Sequence, residues 1–78
     1  MSDRSFTGLE KILQALGFIA DRKKGGRVVW KGKNLHGDFE VIPVHPKKHD
    51  IPTGTLSAIA KQLGFKTLND YFDFLGKL

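Results

Sequence analysis

Apolar residues recur along this chain with two different periods, and the alternation between them lays out the elements. In the stretch SFTGLEKILQALGF, Leu9, Ile12, Leu13 and Leu16 fall at i, i+3, i+4 and i+7, the single stripe of an amphipathic helix. Thr7 and Glu10 have capping-box spacing at its start, and Gly17 is the residue type that ends helices in left-handed geometry. The period then shortens. FIADR reads as a strand entering KKGG, and the Gly25–Gly26 pair supplies the positive φ angles of a tight hairpin. RVVWK is the returning strand, with Val28 and Trp30 on one face, and Trp30 is expected in the core. After the turn GKNLHG, DFEVIPV is a third strand, with Phe39, Val41 and Pro43 on one side and Glu40, Ile42 and Val44 on the other. Pro43 cannot donate to a ladder, which marks an edge strand or a strand end.

Helical spacing returns in TLSAIAKQLGF, where Leu56, Ile59, Ala60 and Leu63 form the stripe, Gly64 the stop, and Thr53 or Thr55 the cap. TLNDYFDFLGKL predicts a short last helix with Thr67 and Asp70 as a capping box and Leu68, Tyr71, Phe72 and Leu75 as its apolar face. The order is therefore α-β-β-β-α with an extra short C-terminal helix, an α+β class. Helices with one stripe each are expected to cover one face of a three-stranded antiparallel sheet. The other face is expected to stay wet and to carry much of the basic charge. This is the two-layer architecture of double-stranded-RNA-binding domains. At 78 residues the chain makes one domain, taken as residues 1–78.

Composition narrows the function. With no cysteine there is no disulfide, no thiolate nucleophile and no thiolate metal site. No apolar run is long enough to span a membrane, and MSDRSFTG lacks a secretory signal, so a cytoplasmic protein is expected. The net charge of +5 favours an anionic partner, chiefly RNA. Its distribution is uneven. Arg22, Lys23, Lys24, Arg27, Lys31 and Lys33 lie within a dozen residues that contain no acid. A solvated, aggregation-resistant sheet edge is the plain alternative for such a run. His45, His49 and Asp50 are a weak metal motif in a proline-containing loop, and neither a metal nor another cofactor is expected.

The segment VIPVHPKKHDIPTGTLSAIAKQLGF resembles the C-terminal half of the HicA family of bacterial toxins. The likeness is carried by Ile42-Pro43-Val44-His45, Lys47-Lys48, Gly54-Thr55-Leu56, Ile59 and Gly64-Phe65. The first half agrees, with a helix ending in LGF, a strand, and a Lys-Gly pair opening a hairpin, so the resemblance spans about residues 7 to 65. It implies a double-stranded-RNA-binding-like fold and sequence-relaxed mRNA cleavage, restrained by a HicB-type antitoxin. In the family a histidine regarded as catalytic follows the Lys-Gly and a small residue. This chain reads Lys24-Gly25-Gly26-Arg27, with arginine at that position.

The exchange has a chemical meaning. Histidine titrates near neutrality and can move protons, whereas arginine keeps its proton and can only clamp a phosphate or stabilise its charge. His45 is then the remaining acid–base candidate, ahead of His36 and His49. Lys23, Lys24, Arg27, Lys31, Lys47 and Lys48 are the expected RNA-holding residues. Two main readings stay open. One is a HicA-like mRNA interferase, a metal-independent endoribonuclease in which Arg27 stabilises charge and His45 shuttles protons. The other is a non-catalytic RNA-binding module or diverged toxin that binds RNA or an antitoxin without cutting. A third is a protein-interaction domain using the Phe-rich last helix. A monomer or weak dimer is expected, and dimerisation without salt-sensitive RNA affinity would be the sign of the third reading.

Overall fold

The structure is a computed structural model that describes residues 3–22, 24–45 and 49–78, apart from the side chains of residues 22 and 24. The elements are α1 (Phe6–Ala15), β1 (Ile19–Arg22), a 3-10 turn (Lys24–Gly26), β2 (Val28–Lys33), β3 (Phe39–Val44), α2 (Thr53–Leu63) and α3 (Leu68–Gly76). This is the α+β, α-β-β-β-α order with an added helix that the residue pattern predicts.

Helix α1 buries Leu9, Ile12 and Leu13 completely. Burying each such side chain contributes roughly 1.5–3 kcal/mol. Its cap is not Thr7. Ser5 Oγ accepts from Gly8 N at 3.0 Å, and Ser5 N in turn donates to Asp3 Oδ1 at 2.9 Å. The helix therefore starts early enough for Phe6 to pack against the core, and Thr7 lies exposed within the first turn. At the other end Phe18 N bonds Leu13 O and Gly17 N bonds Gln14 O, at 2.9 and 3.0 Å, with Gly17 at φ 88°. These are the paired bonds of a Schellman turn, which drops Phe18 into the core.

The sheet is an antiparallel meander in the order β1-β2-β3. Val28 pairs with Val44 and Trp30 with Ile42, and these four make the sheet's share of the core. Trp30 is thus a core residue. Pro43 lies on β3, which is an edge strand, so its missing donor costs no ladder bond. That edge is guarded by α2, whose Gln62 Nε2 donates to Val41 O at 3.1 Å and to Glu40 Oε1 at 3.0 Å. Asn34 organises the β2–β3 turn. Its Oδ1 accepts from His36 N and Asp38 N, and its Nδ2 donates to Gln62 O.

The outer face of the sheet is less polar than the sequence suggests. Lys31 is there by alternation, but so are Ile19, Phe39 and Val41, which are 73, 65 and 42% exposed. The helices all pack on the opposite face, so among the described residues nothing covers these three.

Helix α2 also starts without the expected cap. Pro52 is the N-cap residue, and no side chain caps the helix. Leu56 N bonds Pro52 O at 2.9 Å, which draws Thr53 and Thr55 into the first turn where they cannot serve as caps. Thr53 Oγ1 accepts instead from Arg4 Nη1 at 2.9 Å. Gly64, at φ 103°, ends α2 as Gly17 ends α1, with Phe65 N bonded to Ala60 O at 3.0 Å. Thr67 Oγ1 caps α3 by accepting from Asp70 N at 3.2 Å. α3 packs on both α1 and α2 and brings Tyr71, fully buried, edge-on to Phe65 at 5.9 Å.

Candidate functional site

The register of the sheet decides what meets at its β1–β2 loop end. Val28 and Val44 are the last partners of β2 and β3, so Arg27 and His45, the residues that adjoin them, lie at the same end of the ladder. Gly25 and Gly26, at φ 79° and 78°, curl the connecting turn back toward them. His45 Nε2 lies 3.1 Å from Gly25 O. A carbonyl oxygen can only accept, so Nε2 carries the proton and Nδ1 keeps its lone pair in the neutral ring. Both Arg27 and His45 are exposed, and Arg27 has no acidic partner among the described residues.

Behind His45 opens a cleft of about 240 Å³ between the end of β3 and the start of α2, lined among others by Phe6, Pro43, His45, His49, Thr55 and Ile59. Two imidazoles therefore share one cleft. His49 Nδ1 contacts the Asp50 carbonyl at 3.1 Å. Among the described residues no three His, Asp or Glu side chains gather as a metal-binding group. His36 belongs to the β2–β3 turn, at the opposite end of β2, about 20 Å away along six residues.

The expected basic residues separate. Arg27 is at the loop end. Lys31 lies four residues further along β2, about 13 Å away, and pairs diagonally with Asp21 at 3.6 Å. Lys23, Lys47 and Lys48, and the side chain of Lys24, lie outside the described residues.

One contributor is invisible in the sequence pattern. Arg4 donates to Thr53 Oγ1, its carbonyl accepts from Ile51 N at 2.8 Å, and its guanidinium stands 3.9 Å from Asp50. It pins the segment that carries His49 and starts α2. The only signal was a charge near the N-terminus, with no periodicity to tie it to residues fifty positions away. The Gly25 carbonyl that orients His45 leaves no signal either, since every residue has one.

Fold and site define a small α+β domain that presents a cationic hairpin turn against a histidine at one end of its sheet. The family model for the HicA toxin of bacterial toxin–antitoxin systems matches residues 8–65, and the chain belongs to that family. No curated protein and no solved structure matched. The matched span ends at Phe65, so α3 lies beyond it. No helix among the described residues is long and apolar enough to cross a membrane.

Proposed function

We propose that this toxin is an mRNA interferase, a metal-independent endoribonuclease of the cytoplasm, held in check by a HicB-type antitoxin and working as a monomer or weak dimer. The observation that carries the reading is the contact of His45 Nε2 with Gly25 O at 3.1 Å, in the turn that leads into Arg27. It leaves Nδ1 as the basic nitrogen and fixes the ring where a phosphate held by Arg27 can be reached.

The chemistry follows from the two residue types. His45 Nδ1 takes the proton of a 2′-OH, and the 2′-oxygen attacks the adjacent phosphorus. Arg27 stabilises the extra negative charge on the phosphorane oxygens. The P–O5′ bond breaks and the imidazolium returns its proton to the leaving 5′-oxygen. The products are a 2′,3′-cyclic phosphate and a 5′-hydroxyl end. Lys23, Lys24, Lys31, Lys47 and Lys48 supply sequence-indifferent, salt-dependent attraction to the RNA backbone.

A second reading is favoured by Arg27 itself. The family-like position for a histidine holds a group that cannot move protons, which suits a protein that binds RNA or its antitoxin without cutting. The two separate in one assay: a long RNA incubated in EDTA with the wild type, His45→Ala and Arg27→His. Cleavage by the wild type, slowed about 10²- to 10⁴-fold by His45→Ala, is the expected result. Cleavage by Arg27→His alone would establish the binding-only reading. Equal cleavage by the wild type and His45→Ala would remove His45 from the chemistry.

A further inference from the structure

The outer face of the sheet combines features that neither the fold nor the proposed cleavage uses. Phe39 stands 65% exposed on β3, opposite Lys33 of β2. The next row on the same face is Ile19–Lys31–Val41, with both apolar members exposed. An open hollow of about 810 Å³ lies beside them, lined by Leu16, Ile19, Lys31, Lys33 and Phe39 among others. Single exposed apolar residues need no explanation, but an exposed aromatic grouped with two aliphatics and two lysines does.

We propose that this face is a track for single-stranded RNA, on which Phe39 stacks a base while Lys31 and Lys33 hold the flanking phosphates, and that it leads along β2 to the Arg27–His45 end. The inference rests on the RNA reading above. Charge chooses the occupant. A second copy docking here by two-fold symmetry would add the same two lysines to one interface, concentrating like charge in it. Phosphate complements them. The aromatic chooses the form of RNA, because a ring on an open sheet reaches a base only where that base is unstacked, and a duplex keeps its bases inside.

Geometry supports continuity with the cleavage site. Lys31 and Lys33 are two residues apart on one face, about 6.6 Å, comparable to the step between phosphates of an extended strand. Lys31 and Asp21 are each nearly half exposed, so exchanging the carboxylate for a phosphate is a small change. From Lys33 to Arg27 is about 20 Å, a few nucleotides of extended chain. A base seated on Phe39 would therefore lie a few positions from the scissile phosphate. That would give an otherwise backbone-directed enzyme a preference at one position.

The test is fluorescence anisotropy with a short labelled single-stranded RNA carrying 2′-O-methyl sugars, which lacks the attacking hydroxyl. The proteins are the wild type, Phe39→Ser, Phe39→Trp, and Lys31→Ala with Lys33→Ala. Phe39→Ser is expected to weaken binding roughly 5- to 150-fold, the value of one stacked base, and Phe39→Trp to preserve it. The double lysine variant is expected to flatten the slope of log K against log salt by about 1.4, or 0.7 per lost phosphate contact. Undiminished binding by Phe39→Ser overturns the proposal, as does equal competition by duplex RNA. So does a dimer dissociated by Phe39→Ser with RNA affinity unchanged, which would make the face a self-association surface. A wild type that binds no RNA sinks the RNA reading together with the track. A wild type that binds while Phe39→Ser is indifferent sinks the track alone.

Discussion

Replacing Gly64 with alanine, and comparing it with the same change at Gly17, separates backbone strain from close packing. Both glycines end a helix in the sequence Leu-Gly-Phe, and both have positive φ, 103° and 88°. The left-handed conformation costs an L-residue about 1–2 kcal/mol, offset in part by roughly 0.4–1 kcal/mol from a stiffer unfolded chain. At Gly17 an added Cβ meets nothing within 4 Å, so strain is the whole effect and a net loss near 1 kcal/mol is expected. At Gly64 the added Cβ would lie 2.9 Å from Leu35 Cβ and 3.3 Å from Leu35 N. Leu35 cannot retreat freely, because its N–H is bonded to Leu63 O at 2.9 Å. Overpacking of this kind adds about 1–3 kcal/mol, for a total near 2–4 kcal/mol. Thermal denaturation followed by circular dichroism reads the difference, at about 4–8 °C per kcal/mol for a domain of this size. Equal melting temperatures for the two variants would refute the close approach of the β2–β3 turn to the end of α2.

Tyr71→Phe is expected to stabilise the protein by about 1–2 kcal/mol, since the phenol oxygen is buried without a hydrogen-bond partner among the described residues; a lower melting temperature would show that the hydroxyl is paired. The same variant tests a pH effect. Burial, and then the negative charge of Asp3, raise the Tyr71 pKa above its ordinary 10.0, so wild-type stability holds below pH 10.0 and falls as pH rises beyond it, a fall that Tyr71→Phe should lessen. Asp3 behaves oppositely. Hydrogen bonds from Ser5 hold its pKa below the ordinary 3.8, so its contribution is present above that pH and is lost as pH falls through the lower folded value. The melting temperatures of wild type and Asp3→Asn should therefore converge in acid, and a gap that persists at low pH would contradict the assignment.

The hydrophobic stripes carried the fold because each could be satisfied in one way only. Leu9, Ile12 and Leu13, or Leu56, Ala60 and Leu63, share a face solely as helices, and the Leu-Gly-Phe ends allow no continuation. The caps were harder to read, because hydroxyls cluster near both starts. Ser5 beat Thr7 through a bond from its own N–H to Asp3, and Arg4 occupied Thr53, choices made by tertiary neighbours. The sheet faces were ambiguous for another reason. β3 carries apolar residues on both sides, and alternation cannot say whether Phe39 and Val41 or Ile42 and Val44 meet the helices. At the site, Arg27 and His45 were legible as residues. Their place at one end of the ladder depends on a register fixed by the Asn34 turn, and the Lys31–Asp21 pair appears only once that register is known.

The packing of α3 against α1 also bears on the order in which the chain matures as it is made. Leu75 lies so near Gly8 that an added Cβ there would stand 3.0 Å from it, and Tyr71 is buried in the same core cluster as Leu9, Ile12 and Leu13. The hairpin and His45 emerge from the ribosome long before these residues do. Until they follow, the stripes of α1 and α2 have only part of their cover. The helical layer of the nascent chain is therefore unfinished for as long as Tyr71 and Leu75 remain in the exit tunnel, although the residues lining the cleft behind His45 all precede α2's last turn.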